Sequence, residues 1–259
     1  MAGAFWCVVE DDRKGAPKKV MAEVIGEAAR LGGPVEAVWL TEKATGEGLQ
    51  QLGAWGASKV WLVENGALAT YQGEVWTPVL AELVGKESPK AVFGAVTARQ
   101  RELMARLAAR LGVGLAADSV AFAMEGDRLV ATRPIYAGKL LSKVTWARQP
   151  WLATLRPNVF RPADARPGQT AAVERPAVTV PPATTTLVER REEVSTGLPE
   201  LAEAEIVLSG GRGMKGPEHY VILEDMAHVI GAAVGASRAA VDAGWRPHRF
   251  QIGQTGRTI

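Results

Sequence analysis

Cysteine is nearly absent from this chain. Cys7 is the only one in 259 residues, which excludes an intramolecular disulfide and leaves no basis for a cysteine-rich metal site. It lies inside the apolar run Phe5–Val9, the setting of a buried, inert thiol rather than a reactive one. Long apolar runs are missing too: no uninterrupted stretch approaches the ~20 residues that span a bilayer. The chain opens on a strand-like run, with no basic segment leading into an apolar one as in a secretory signal. A cytoplasmic protein without membrane insertion is therefore expected. An excess of one charge is lacking as well, with 30 Lys and Arg against 28 Asp and Glu, so neither nucleic acid nor anionic lipid is called for as the main partner. The three histidines, His219, His228 and His248, show no i, i+4 spacing of a helical metal pair. Ser237 with Asp242 lacks the nucleophile-elbow pattern of a hydrolase. Long-period repeats and low-complexity runs are also absent.

What is present is a globular composition, 47% hydrophobic and 22% charged, in a chain long enough for one large domain or two ordinary ones. Four short runs, Phe5–Val9, Val35–Leu40, Lys59–Val63 and Ala91–Val96, have strand length and are rich in Val, Trp and Phe. Helical patterns lie between and after them: Pro17–Leu31, a weaker one at Thr45–Trp55, Val75–Val84 and Ala98–Leu111. Alternating strands and helices predict a parallel sheet covered on both faces. In Ala98–Leu111 the apolar face is Leu103, Met104, Leu107 and Leu111. Arg99, Arg106 and Arg110 form an adjacent stripe, read as a solvated face, and Gly112 stands where a left-handed cap is expected.

From Ala117 the texture changes. Ser119–Met124, Leu129–Tyr136, Leu141–Ala147 and Trp151–Arg156 are separated by short turn-like links and read as antiparallel strands beside the parallel sheet. Residues 157–182 are proline-rich and read as extended surface chain. Thr184–Val194 is read as one more strand, and the domain boundary is placed before Pro199, giving domains 1–196 and 197–259. The second unit starts with a strand at Glu205–Leu208, followed by a glycine-rich turn and a helix beginning at Pro217. Ile222, Met226, Val229, Ile230 and Ala233 mark that helix's expected buried face. Val234–Ser237 is the next strand.

Gly211–Gly216 fits G-x-G-x-x-G between a predicted strand and a predicted helix. Glycines allow close backbone approach to a phosphate, and helix N-termini offer unpaired N–H groups to it. Arg212 and Lys215 add positive charge. An NAD site would carry an acidic residue about 20 residues on, where this chain has Gly235-Ala236-Ser237-Arg238. The residues leave two candidates open: an NADP site, or another phosphate-bearing cofactor such as FAD.

The string Ser209-Gly210-Gly211-Arg212-Gly213-Met214-Lys215 resembles the loop that opens the FAD domain of electron-transfer flavoprotein alpha subunits. Val234–Trp245 is similar to that family's second signature and Gln251–Gly256 to its third. Arg133–Gly138 and Ala105–Leu115 extend the resemblance to the first domain, so it covers essentially the whole chain. It implies an α/β fold: an N-terminal parallel-sheet domain with added antiparallel strands, then a Rossmann-like, doubly wound FAD-binding domain. It also implies an electron carrier rather than a substrate-converting enzyme. The implied partner is a beta subunit, in a heterodimer that accepts electrons from dehydrogenases such as acyl-CoA dehydrogenases and passes them to a quinone reductase or similar acceptor. By position, Arg212 and Gly213 match loop residues near the FAD phosphates and flavin, and Ser237 and Arg238 match residues beside the isoalloxazine ring. Gln251, Gly253, Gln254 and Thr255 match further cofactor-contacting positions. The resemblance favours FAD over NADP. Family members continue past the third signature with a further strand, a G-I-S-G-A-I-Q-H segment and an acidic stretch, so the resemblance implies a FAD-binding domain lacking its C-terminal part. A cofactor-free subunit serving only to dock its partner is the alternative, with an NADP-binding reductase behind it.

Overall fold

In the computed structural model, residues 3–190, 197–201 and 204–257 are described. The chain divides into two compact units, Met1–Leu187 and Val188–Ile259.

The first unit alternates strand and helix as far as residue 111: β1 (Phe5–Val8), α1 (Val20–Arg30), β2 (Val35–Thr41), α2 (Gly46–Ala54), β3 (Lys59–Glu64), α3 (Gly73–Glu87), β4 (Ala91–Ala95) and α4 (Ala98–Leu111). Threonine hydroxyls start two of the helices, Thr45 accepting from Gly48 N–H and Thr97 from Gln100 N–H. Each satisfies one of the donors a helix N-terminus leaves open. Gly112 ends α4 at φ 62°, the left-handed cap expected from the sequence.

Strand residues divide by parity between two cores. Phe5, Cys7, Val35, Ala37 and Trp39 face one layer with Met21, Val24, Ile25 and Ala28 of α1. Trp6, Val8, Val38 and Leu40 face the other, with Val79, Leu80 and Leu83 of α3 and Leu103, Met104 and Leu107 of α4. Strands buried on both sides give uninterrupted apolar runs instead of alternation, which is why β1, β2 and β4 read so plainly. Cys7 is fully buried, and burial pushes its thiol well above the ordinary range, so it is an inert core side chain.

Beyond α4 the order is β5 (Leu115–Ser119), β6 (Ala121–Glu125), β7 (Arg128–Ile135), β8 (Leu140–Val144), β9 (Trp151–Leu155) and β10 (Ala172–Glu174). Strands β6, β7 and β8 form an antiparallel sheet of their own, as expected. Strand β9 does not join it. It lies parallel between β4 and β5, giving the sheet order β10-β3-β2-β1-β4-β9-β5. The expected antiparallel placement of Trp151–Arg156 is thus corrected, and Leu115–Ser119 is a strand that periodicity passed over. Both errors have one cause. The β6–β8 meander is an excursion between two strands of the main sheet, and short links report only that consecutive strands are close. The proline-rich stretch is extended, with Ala172–Glu174 pairing along the β3 edge. Residues 184–190 form no strand, and the rest of the expected Thr184–Val194 strand lies outside the described residues.

The arginine stripe of α4 is also corrected at its first member. The side chain of Arg99 is buried, its Nε donating to Glu10 Oε2 at 3.2 Å and its Nη1 to Asp11 Oδ1 at 3.0 Å; Arg106 and Arg110 are exposed. A helical wheel shows which residues share a stripe but not that two carboxylates follow β1. Next to Arg99, Gln100 ties the helix to the sheet: its Oε1 accepts from Ala95 N–H at 2.6 Å and its Nε2 donates to Val8 C=O at 2.8 Å. A Cβ on Gly94 would stand 2.5 Å from that oxygen.

The second unit holds β11 (Val207–Gly210), α5 (Val221–Ile230), β12 (Ala233–Ala236) and α6 (Arg238–Asp242). The two strands are parallel, pairing Val207 with Ala233 through Gly210 with Ala236. The helix rests on them through Leu223 and Ala227, joined by Tyr220 just ahead of it. The expected buried face is overturned for all but Ala233: Ile222, Met226, Val229 and Ile230 are exposed, Val229 at 84%. A two-stranded sheet is too narrow to cover a whole apolar helix face, so only one stripe is buried.

Two stability outcomes follow from these contacts. Gln100→Leu keeps the side-chain volume but removes both buried hydrogen bonds, and it should cost about 2–4 kcal/mol in urea unfolding. At the β5–β9 edge Arg156 grips Asp118 in a bidentate pair at 2.9 and 2.6 Å, which lowers the Asp118 carboxyl from its ordinary 3.8. That pair stabilises the fold above pH 3.8 and is lost as pH falls through the lower folded value. Asp118→Asn should therefore be about 1 kcal/mol less stable at pH 7, and the difference should shrink as the titration moves below pH 3.8.

Candidate functional site

Three separate stretches meet at the C-terminal ends of β11 and β12. The first is the glycine-rich turn. Arg212–Met214 makes a 3-10 turn closed by Met214 N–H to Gly211 C=O at 2.9 Å and Lys215 N–H to Arg212 C=O at 3.0 Å. Lys215, at φ 63°, takes the left-handed conformation, while Gly211, Gly213 and Gly216 do not. What Gly211 and Gly213 supply is room. A Cβ on Gly213 would meet nothing within 4 Å, and one on Gly211 would stand 3.5 Å from Ser237 Oγ. Gly210, in contrast, is a packing glycine, since a Cβ there would lie 2.7 Å from the Tyr220 ring. The expected helix at Pro217 begins as a 3-10 turn, Pro217–Tyr220, which passes into α5.

The second stretch follows β12. Ser237 N–H donates to Gly210 C=O at 2.9 Å, which holds the start of α6 against the glycine turn. The Ser237 hydroxyl caps nothing, and its Oγ is buried without a hydrogen-bond partner. Buried hydroxyls are normally satisfied, so this oxygen is positioned for a group the protein does not supply. Arg238 is exposed and forms an i, i+4 pair with Asp242 at 3.3 Å, a weak surface contact that leaves the guanidinium available.

The third stretch is the segment 251–257. Ile252 N–H donates to Ala236 C=O at 2.9 Å, so this segment lies beside β12. Gln251 is buried, and its Nε2 donates to Thr255 Oγ1 at 2.7 Å. Arg257 N–H closes the loop onto Gln251 C=O at 2.7 Å. Gly253, at φ 117°, occupies a backbone conformation that side chains rarely adopt; Gln254 and Thr255 are exposed beside it. The fold thus brings Arg212, Gly213, Ser237, Arg238, Gln251, Gly253, Gln254 and Thr255 to one end of the parallel pair. Among the described residues no cluster of His, Cys, Asp and Glu is arranged to hold a metal ion. No helix of theirs is long and apolar enough to cross a membrane.

One positioning residue escaped the sequence reading. Arg246 lies 4.6 Å over the Tyr220 ring and 5.7 Å from that of Phe250, and pairs with Glu224 at 2.7 Å. It fastens the approach to Gln251 onto α5. The signal available was the Arg-Pro-His-Arg-Phe string ahead of the third signature, two cations beside an aromatic.

Ligands bind open α/β sheets in crevices outside the carboxyl ends of their strands, and that is where these loops converge. Comparison with known proteins agrees with the geometry. A family model described as electron transfer flavoprotein domain matches residues 5–181, and one described as electron transfer flavoprotein FAD-binding domain matches residues 200–259. The chain is 39% identical to the electron transfer flavoprotein subunit alpha of Syntrophomonas wolfei, over 100% of this chain and 80% of that protein. It is 37% identical to the corresponding subunit of Mycobacterium leprae and 33% identical to that of Bacillus subtilis, each over 97% of this chain and 78% of the relative. The chain belongs to the electron transfer flavoprotein alpha-subunit family. It is therefore a member of a family of electron carriers, and the match to that family's FAD-binding domain lies within its second unit.

In this family member the loop at 251–257 has little slack. A Cβ on Gly256 would collide with Gln251 C=O, the acceptor that closes the loop. Gly256→Ala should lower the stability of the second unit by about 1–3 kcal/mol, with faster amide hydrogen exchange at 251–257 and unchanged exchange in β1–β4.

Proposed function

We propose that this chain is the FAD-carrying alpha subunit of a two-subunit electron carrier. It would pair with a beta subunit, take electrons from dehydrogenases such as acyl-CoA dehydrogenases, and deliver them to a quinone reductase or similar acceptor. The observation that carries the cofactor reading is the buried, unpartnered Ser237 Oγ, facing the open side of Gly211 where three loops meet. FAD would supply reversible electron uptake through its flavin ring, chemistry that no side chain provides.

The protein's share is placement and electrostatics. Arg212 and Lys215 would neutralise the diphosphate, with the side-chain-free positions 211 and 213 letting it approach the backbone. Ser237 would satisfy its hydroxyl on the ring edge. Arg238, through its guanidinium charge, would favour the negative charge that reduction brings. Gln251, held by Thr255, would present its neighbours Gly253, Gln254 and Thr255 to the cofactor from the other side.

The test is the visible spectrum after incubation with FAD and desalting, for the chain alone and together with a beta subunit. A retained flavin band supports the carrier. Flavin-free protein in both samples, with the two subunits still associating, would favour a docking role without cofactor. In the flavin-loaded protein, Arg238→Ala should lower the midpoint potential by on the order of tens of millivolts, read by redox titration. An unchanged potential would remove Arg238 from this role.

A further inference from the structure

The first unit carries a cavity of its own, with a volume of about 300 Å³. It opens at the C-terminal ends of β1, β2 and β3, and its walls include Asp11, Thr41, Tyr71 and Arg99. The sheet order there is β3-β2-β1-β4, so the chain leaves β1 in one direction across the sheet and reaches β4 in the other. Such a reversal opens a crevice at the strand ends.

Two polar groups in this wall are buried and lack partners: Arg99 Nη2 and Tyr71 Oη. The Arg99 side chain is only 8% exposed. Its other nitrogens are engaged, Nε with Glu10 and Nη1 with Asp11, and its plane lies 5.0 Å from the Trp76 ring. The remaining Nη2 donor is therefore fixed in place. Asp11 is engaged on both oxygens, since its Oδ2 accepts from Trp39 Nε1 at 2.9 Å. Glu10 Oε2 also accepts from Thr97 Oγ1 at 2.9 Å. Tyr71 packs edge-on against the same Trp76, with ring centroids 5.5 Å apart. Burial pushes its phenol up to about 12, so it keeps its proton and can donate. Lys14 and Lys43 are exposed and line the same cavity. Glu42 also lines it and is outnumbered by the cations, which include Arg13.

Two inner donors that lack acceptors, beneath a mouth rich in cations, call for a ligand with several acceptor oxygens and negative charge. We propose that this cavity binds a small phosphate-bearing molecule, with Arg99 Nη2 and Tyr71 Oη as inner donors and Lys14 and Lys43 at the mouth. All the residues that line the cavity belong to the first unit, and none belongs to the loops assigned to FAD.

Isothermal titration of the full chain at constant ionic strength tests this, with inorganic phosphate and a nucleoside monophosphate as the two probes. Saturable binding of either is expected. Tighter binding of the nucleotide identifies a nucleotide as the source of the phosphate, and equal binding identifies the free anion. Tyr71→Phe keeps the ring against Trp76 and removes only the hydroxyl, while Lys43→Ala changes an exposed residue; each should weaken binding about fivefold, the effect of one lost contact. Arg128→Ala, an exposed strand residue outside the cavity wall, should leave the affinity unchanged. No saturable binding of either probe, or affinity that falls in Arg128→Ala but not in Tyr71→Phe and Lys43→Ala, would overturn the proposal.

Discussion

Burial of β1 on both faces is the constraint from which the first unit is built. Its four residues alternate between two apolar layers, so helices must cover both sides of the sheet, α1 on one and α3 and α4 on the other. Tryptophans carry much of that load, and their N–H groups are not left stranded. Trp6 and Trp61 both donate to Glu36 Oε2, at 2.9 and 2.6 Å, and Trp39 donates to Asp11. Large aromatic area is thereby buried without the penalty of an unpaired donor. The end of β1 is equally constrained: Glu10 and Asp11 are taken up by Arg99 of α4, and Gln100 bridges β1 to β4. Packing and polar closure meet within two adjacent residues of one helix.

The second unit relies on fewer contacts and more on main-chain geometry. Ser237 N–H on Gly210 C=O and Ile252 N–H on Ala236 C=O set side by side three loops that are separate along the chain. Its apolar cluster centres on small alanines around Tyr220, so it buries much less area than the first unit. A loop site held by backbone bonds keeps its register while its side chains stay available to a ligand, as the exposure of Arg212, Arg238 and Gln254 illustrates. The uncovered residues of α5 belong to the same description: the helix is amphipathic, but two strands cover only one stripe of it.

Much of this was legible in the primary structure. Doubly buried strands read directly from their apolar runs, and the end of α4 was marked by Gly112. The candidate site residues were found by motif, because glycines at a strand-to-helix turn are distinctive and because the family signatures contain them. Other features could not be read this way. Arg99 looks like the start of a charged stripe until Glu10 and Asp11 are brought to it from nearly ninety residues away. Trp151–Leu155 has the same local pattern whether it pairs parallel or antiparallel.

The sequence by itself determined most of the elements, the family and the residues gathered at the glycine-rich turn, since each depends on neighbours a few positions apart or on a signature string of the family. Only the tertiary structure decided the direction and place of β9, the exposed face of α5, the burial of the Arg99 side chain and the cavity beside it. The reason is physical: strand direction, helix coverage and the neutralisation of a buried charge depend on contacts between distant segments, and local propensity carries no information about which distant segment arrives.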